Sequence, residues 1–131
     1  MRGMAEAVYP YEGCGILVGQ PGEVAEVTEV RQAQNLRGPE DRARDRYLMD
    51  PAAIMTAQRE ADDIGLDIVG FWHSHPDHPS RPSQYDIDHA GRWPGYVFVI
   101  VSVQQGHAEE DQGWVRSSEA EPGMREELLE G

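Results

Sequence analysis

A chain of 131 residues, 39% hydrophobic and 27% charged, has the length of one domain and can bury a core unaided. Its apolar runs fall well short of the roughly 20 residues a membrane-spanning helix needs, and no charged start followed by an apolar stretch marks a signal peptide. With 24 acidic residues against 11 basic ones, net −13, its surface repels nucleic acid and anionic membrane alike, because both are bound through Lys and Arg.

Arg2 to about Val8 reads as a short helix ended by Tyr9-Pro10. Gly13 to Gly19 follows as a buried strand between glycines. Within it lies the single cysteine, Cys14, which forbids an intramolecular disulfide and any zinc site built from several thiolates. A reducing cytoplasm is therefore the expected compartment. Pro21-Gly22 is a turn signal, and Val24, Val27 and Val30 belong to a second strand that returns as a hairpin. Asn35 to Arg46 is polar and reads as an exposed loop, and Arg46 to Met49 as a short strand. Asp50-Pro51 opens a helix, since Asp caps well and Pro suits the first helical position. Ala53, Ile54, Ala57 and Ala61 give that helix one apolar face, and Gly65 ends it. Asp67 to His73 reads as a buried strand, followed by a loop rich in proline. Ser83 to Ala90 is a short helix, Tyr96 to Val103 the most apolar strand, and Trp114 to Arg116 one strand more.

Residues 1–117 are expected to form one domain, and residues 118–131 an acidic tail, frayed or weakly helical. Alternating strands and helices point to an α/β or α+β sheet domain. All 11 basic residues are Arg, as in a high-GC or salt-adapted genome. No lysine Schiff base can form on this chain, and nothing can be conjugated to a lysine of it.

The chemistry concentrates in residues 73–86. His73 and His75 stand two apart at the end of a strand, so their imidazoles share a face and can bind one metal. Pro76 follows at once. Ser83 can cap the next helix, with Asp86 as its capping-box partner. If Asp86 turns instead toward the histidines, the set becomes two imidazoles and a carboxylate. With a water in the fourth position, that is a tetrahedral catalytic zinc site. Such a site lowers the pKa of its water to about 7 and needs a base to move the proton. Glu12, just before the Gly-Cys-Gly strand, is the candidate base, and Ser83 can donate to a developing oxyanion.

The pattern His73-x-His75-Pro76, then Ser83-x-x-Asp86, with seven residues between His75 and Ser83 and with Glu12 upstream, resembles the JAMM (MPN+) metallopeptidase family. Tyr9 to Gly19 is similar to that family's catalytic-glutamate strand, and Asp67 to Trp72 to the strand leading into its histidines. The resemblance spans roughly residues 4 to 117. It implies a three-layer αβα sandwich around a mixed sheet, similar to cytidine deaminases. It also implies one zinc per chain on His73, His75 and Asp86, with Glu12 as general base and Ser83 as oxyanion stabiliser. The implied activity is hydrolysis of the bond after the C-terminal Gly-Gly of a ubiquitin-like or sulfur-carrier protein. The leaving group is then a protein lysine or free cysteine. Against the family pattern, the N-terminal strand and part of the first helix are missing before Glu12. A shortened start is expected to expose apolar surface and invite a homodimer.

Other readings compete. A capping Ser83 needs no catalytic role. His78, His89 and His107 read as loop, solvated-helix and turn residues, Cys14 as a small buried hydrophobe, and Trp72 as core or groove wall. Two histidines and a carboxylate also form the facial triad of non-haem iron oxygenases, which would leave Glu12 idle. Zinc deaminases need a C-x-x-C pair and zincins an H-E-x-x-H; neither is present. A non-catalytic metal-binding scaffold of the same fold is the remaining alternative.

Overall fold

The computed structural model describes residues 1–22, 25–36, 48–118, 123–127 and 129. Its elements run α1 (Arg2–Val8), β1 (Cys14–Gln20), β2 (Glu26–Ala33), α2 (Pro51–Asp63), β3 (Asp67–Pro76), α3 (Gln84–Ala90), β4 (Val97–Gln104), β5 (His107–Val115) and β6 (Arg125–Glu127). The strands form one mixed sheet in the order β2-β1-β3-β4-β5-β6. Only β3 and β4 pair in parallel, as expected of strands joined through a crossover helix, here α3. The other pairs are antiparallel.

Helices cover both faces, giving the α/β three-layer arrangement expected. Ala57 and Ala61 of α2 and Ala90 of α3 pack with Ile16, Val18, Ile68, Phe71 and Phe98. On the opposite face Ala5 of α1 packs with Leu17, Val69, Trp72, Val99, Val101 and Val103. Alternation along each strand produces the two sets. In β3 the alternation is reset once. Leu17 pairs with Gly70 but Val18 with Ile68, so Val69 is an extra residue. This bulge puts Val69 and Trp72 on the α1 face and leaves Phe71, His73 and His75 on the α2–α3 face. A bulge beside a reactive site is a common way to aim side chains.

Local chemistry accounts for the boundaries. Asp50 caps α2 by accepting from the Ala52 N–H at 3.0 Å, with Pro51 at the first helical position. Ser83 and Asp86 complete a capping box on α3. Gln105 and Gly106, at φ 50° and 88°, turn β4 into β5 as a two-residue hairpin. Trp72 is fully buried, and its indole N–H donates to the Arg31 carbonyl at 2.9 Å across β1. That crossing is possible because position 15 is glycine. A Cβ there would overlap both the Arg31 carbonyl and the indole.

Several expectations need correction. β3 runs on to Pro76, so both histidines lie inside a strand. β5 begins at His107 instead of Trp114. Residues 125–127 of the acidic tail form strand β6 on β5 and are neither frayed nor helical. The short strand expected before α2 reduces, among the described residues, to a single bridge between Met49 and Asn35. Val24, Arg46 and most of the polar loop lie outside the described residues. Among the described residues no helix is long and apolar enough to cross a membrane.

Candidate metal centre

Four residues from three elements meet on the α2–α3 face. His73 and His75 come from the end of β3, with Nε2 atoms 3.1 Å apart. Asp86 comes from the first turn of α3. Its Oδ1 lies 3.2 Å from His73 Nε2, and its Oδ2 lies 3.0 Å from His75 Nε2. Glu12 precedes β1, and one of its carboxylate oxygens lies within 4.8 Å of a ring nitrogen of each histidine. Cys14 pairs with His73 in register, which brings the segment before β1 alongside the end of β3.

Asp86 does both jobs that the sequence left open. Its Oδ2 accepts from the Ser83 N–H at 2.9 Å as capping partner and faces His75 as well. The capping box thus fixes the rotamer that aims the carboxylate at the histidines. The Ser83 hydroxyl accepts from the Asp86 N–H at 3.1 Å, and the residue is exposed. A hydroxyl that accepts there keeps its own proton to donate elsewhere.

The protonation states follow from the surroundings. His75 Nδ1 lies 3.0 Å from the Pro79 carbonyl, which can only accept, so Nδ1 carries a proton and donates it. Nε2 is then the His75 nitrogen turned toward Asp86. Burial pushes the His73 imidazole pKa down and favours its neutral form, with the Asp86 charge acting the other way. Burial opposes ionisation of Asp86, but the facing His73 and His75 outweigh it and hold the carboxyl well below the usual range. Lone pairs and a carboxylate converging within 3.2 Å repel unless a cation or proton lies among them. Tetrahedral zinc with bonds of about 2.0–2.1 Å places its ligand atoms about 3.3 Å apart. The spacing of these three groups fits such an ion.

Glu12 is 3% exposed. Its backbone is held on both sides. The Gly13 N–H donates to Ser74 Oγ at 2.8 Å, the Ser74 N–H donates to the Gly13 carbonyl at 3.0 Å, and Asn35 Nδ2 donates to the Glu12 carbonyl at 3.0 Å. The sequence reading passed over Ser74 and Asn35. The signal for Ser74 was its place between two same-face histidines, which turns a small polar residue into the opposite, buried layer, where it must find a partner.

Of the residues expected to be bystanders, Cys14 and Trp72 are buried and His78 and His107 are exposed. His89 departs from the solvated face expected of it. It is half-buried, stacked on Tyr85 and edge-on to Phe98, and burial lowers its pKa. With Phe71, Tyr85 and Trp93 it lines an apolar cleft of about 370 Å³.

A family model described as prokaryotic homologs of the JAB domain matches residues 1–117. The chain belongs to this family. Curated relatives of this JAB domain include a desampylase of Haloferax volcanii, 36% identical over 71% of the chain and 63% of that protein. A desampylase of Pyrococcus furiosus is 33% identical over 81% of the chain and 67% of that protein. A probable TtuB-protein conjugate cleaving protease of Thermus thermophilus is 34% identical over 72% of the chain and 60% of that protein. The chain thus spans about two thirds of these relatives. Among solved structures, a Desulfitobacterium hafniense protein superimposes with TM-score 0.77 at 27% identity, covering 97% of this chain and 82% of its own. A Salinibacter ruber protein does so with TM-score 0.68 at 36% identity, covering 95% and 80%. A JAB1/MPN domain protein of Archaeoglobus fulgidus, TM-score 0.55 at 21% identity over 96% and 82%, shares the fold.

Proposed function

We propose that this JAB domain is a zinc-dependent isopeptidase that hydrolyses the bond after the C-terminal Gly-Gly of a ubiquitin-like or sulfur-carrier protein. One observation carries the reading. His73, His75 and Asp86 converge within 3.2 Å of one another, and Glu12 stands beside them. Relatives named desampylase and conjugate cleaving protease support the reaction class. The Gly-Gly preference rests on the resemblance of the motif.

His73, His75 and Asp86 would hold the zinc. Bound there, zinc lowers the pKa of a coordinated water to about 7 and polarises the scissile carbonyl. The chain's own residues do the rest. Glu12 accepts the proton of the attacking water at its carboxylate and delivers it to the departing amine, so one carboxylate serves as base and then as acid. Its clamped backbone keeps that oxygen in reach during both transfers. Ser83 Oγ donates to the oxygen that gains charge as the carbonyl becomes tetrahedral. The cleft lined by Tyr85 and His89 of α3 gives room to the residues flanking the bond. An iron-oxygenase site would leave Glu12 without a task.

The test compares zinc-loaded wild type with Glu12→Gln on a ubiquitin-like protein joined through its C-terminal glycine to a lysine. Wild type cleaves, and Glu12→Gln keeps its zinc but loses about 10²–10⁴-fold in kcat. A wild type that holds one zinc yet leaves Gly-Gly-tailed conjugates intact would make the domain a metal-binding scaffold instead.

A further inference from the structure

The loop between Pro76 and Ser83 crosses the sheet on the face that carries the histidines. The register explains what it meets. His75 pairs with Ser102, and Ser102 with Glu110, so these three side chains form one row. His73, Ile100 and Gln112 form the next row, and Phe71, Phe98 and Trp114 the one after. The loop lies along these rows. Most of its residues are exposed, but Ser80 is fully buried. All three polar groups of Ser80 are taken by side chains of β5. Its N–H donates to Glu110 at 3.2 Å, its hydroxyl donates to Gln112 at 3.2 Å, and its carbonyl accepts from the Trp114 indole N–H at 2.9 Å. On the other flank the His78 carbonyl accepts from Ser102 Oγ at 2.5 Å. Between these two anchors is Pro79, whose carbonyl accepts from His75 Nδ1.

We propose that Ser80, Gln112 and Trp114 are positioning residues that hold the Pro79 carbonyl against His75 Nδ1 and so keep Nε2 as the face turned toward Asp86 and His73. The reason is geometric. A carbonyl on an unanchored loop would swing away, and the Nδ1–H would then lose its acceptor and leave the ring free to turn. Proline restricts the torsions on either side of the anchor but supplies no donor of its own. On the far side of the proline the serine therefore carries the bonds that tie the loop down. Through the metal-centre reading on which it rests, the clamp also has a consequence for zinc. Partners of this kind orient ligand imidazoles, and their loss typically costs 10–100-fold in metal affinity.

Two variants test the clamp. Trp114→Phe keeps a ring but loses the N–H, and Gln112→Met keeps the length but loses the acceptor, so loss of fold in one leaves the other informative. Asp111→Asn is the control. It breaks the pair with Arg2 on the opposite face of β5. The hydrogen bond is read from the solvent-exchange rate of the His75 Nδ1–H by NMR, in zinc-loaded full-length chain and again after zinc is removed. The expected result is a slowly exchanging Nδ1–H in wild type and Asp111→Asn, and clearly faster exchange in both clamp variants. Zinc dissociation constants from chelator competition then rise roughly tenfold or more in the same two variants. A purely structural role would lower the melting temperature and leave the exchange rate alone. An unchanged exchange rate in either folded variant, with a zinc dissociation constant within about twofold of wild type, overturns the proposal. If wild type takes up no zinc, the exchange rate in the zinc-free chain still decides the clamp, and only the metal-centre reading fails.

Discussion

Glu12 and Cys14 are two residues apart on neighbouring ground and show how burial divides labour. Both are withdrawn from solvent, but only Glu12 belongs to the cluster with the two histidines. The Cys14 thiol pKa is pushed up to about 12, first by burial and then by the charge of Glu12. Its sulfur donates weakly to the Ala33 carbonyl at 3.8 Å. A thiol so protonated and so enclosed is a poor nucleophile and a poor metal ligand. The expectation is that iodoacetamide at pH 8 leaves the native chain unlabelled and modifies one site per chain in denaturant. Mass spectrometry reads this directly, and rapid labelling of the native protein would contradict it. At this scale the sequence was highly legible. That His73, His75 and Asp86 converge beside Glu12 was readable because metal chemistry demands particular side chains at particular spacings. Ser80, Gln112 and Trp114 were not, since nothing in a single serine or glutamine shows which strand lies beneath it.

Elements were legible where burial imposes a pattern. The continuous apolar stretch of β1 and the apolar face of α2 announced themselves because each packs against a hydrophobic layer. β5 did not. Its residues read His-Ala-Glu-Glu-Asp-Gln-Gly-Trp-Val, with no apolar alternation. The structure supplies the reason. One face of β5 meets the polar loop after β3, and the other meets α1 through Arg2–Asp111 and through the Ala108 N–H, which donates to Glu6. A strand covered by polar neighbours needs no hydrophobic period. The tail strand β6 escaped for a similar cause, being three residues at the sheet edge. The contact between β1, β2 and β3 yields a prediction at this scale. Gly15→Ala drives a Cβ into the Arg31 carbonyl and the Trp72 ring, neither of which can move without parting two strands. Overpacking of this kind costs about 1–3 kcal/mol or more. A urea titration should show the midpoint falling with the slope unchanged. An unaltered midpoint would mean that the strands part more easily than their packing implies.

At the scale of the molecule, the sheet order accounts for why the site exists at all. β1 and β3 are neighbours, so the segment before one lies beside the end of the other. The crossover from β3 to β4 must leave at the carboxyl end of β3, and α3 begins that return with its first turn over the histidines. A reactive centre outside the carboxyl end of a strand, at a crossover, is where open α/β sheets commonly bind ligands. The site's composition was thus readable one residue at a time, while its closure depended on a topology that composition does not reveal. The net charge of −13 belongs to this scale as well. It argues for a partner with a neutral or basic face, because like charges slow encounter.

The central claim is that His73, His75 and Asp86 hold one zinc ion. Elemental analysis of the purified wild type beside His75→Ala tests it most directly. The account predicts about one zinc per chain in wild type and its loss in the variant, with the variant still folded. Iron in place of zinc, or no metal in wild type after zinc is offered, would contradict it.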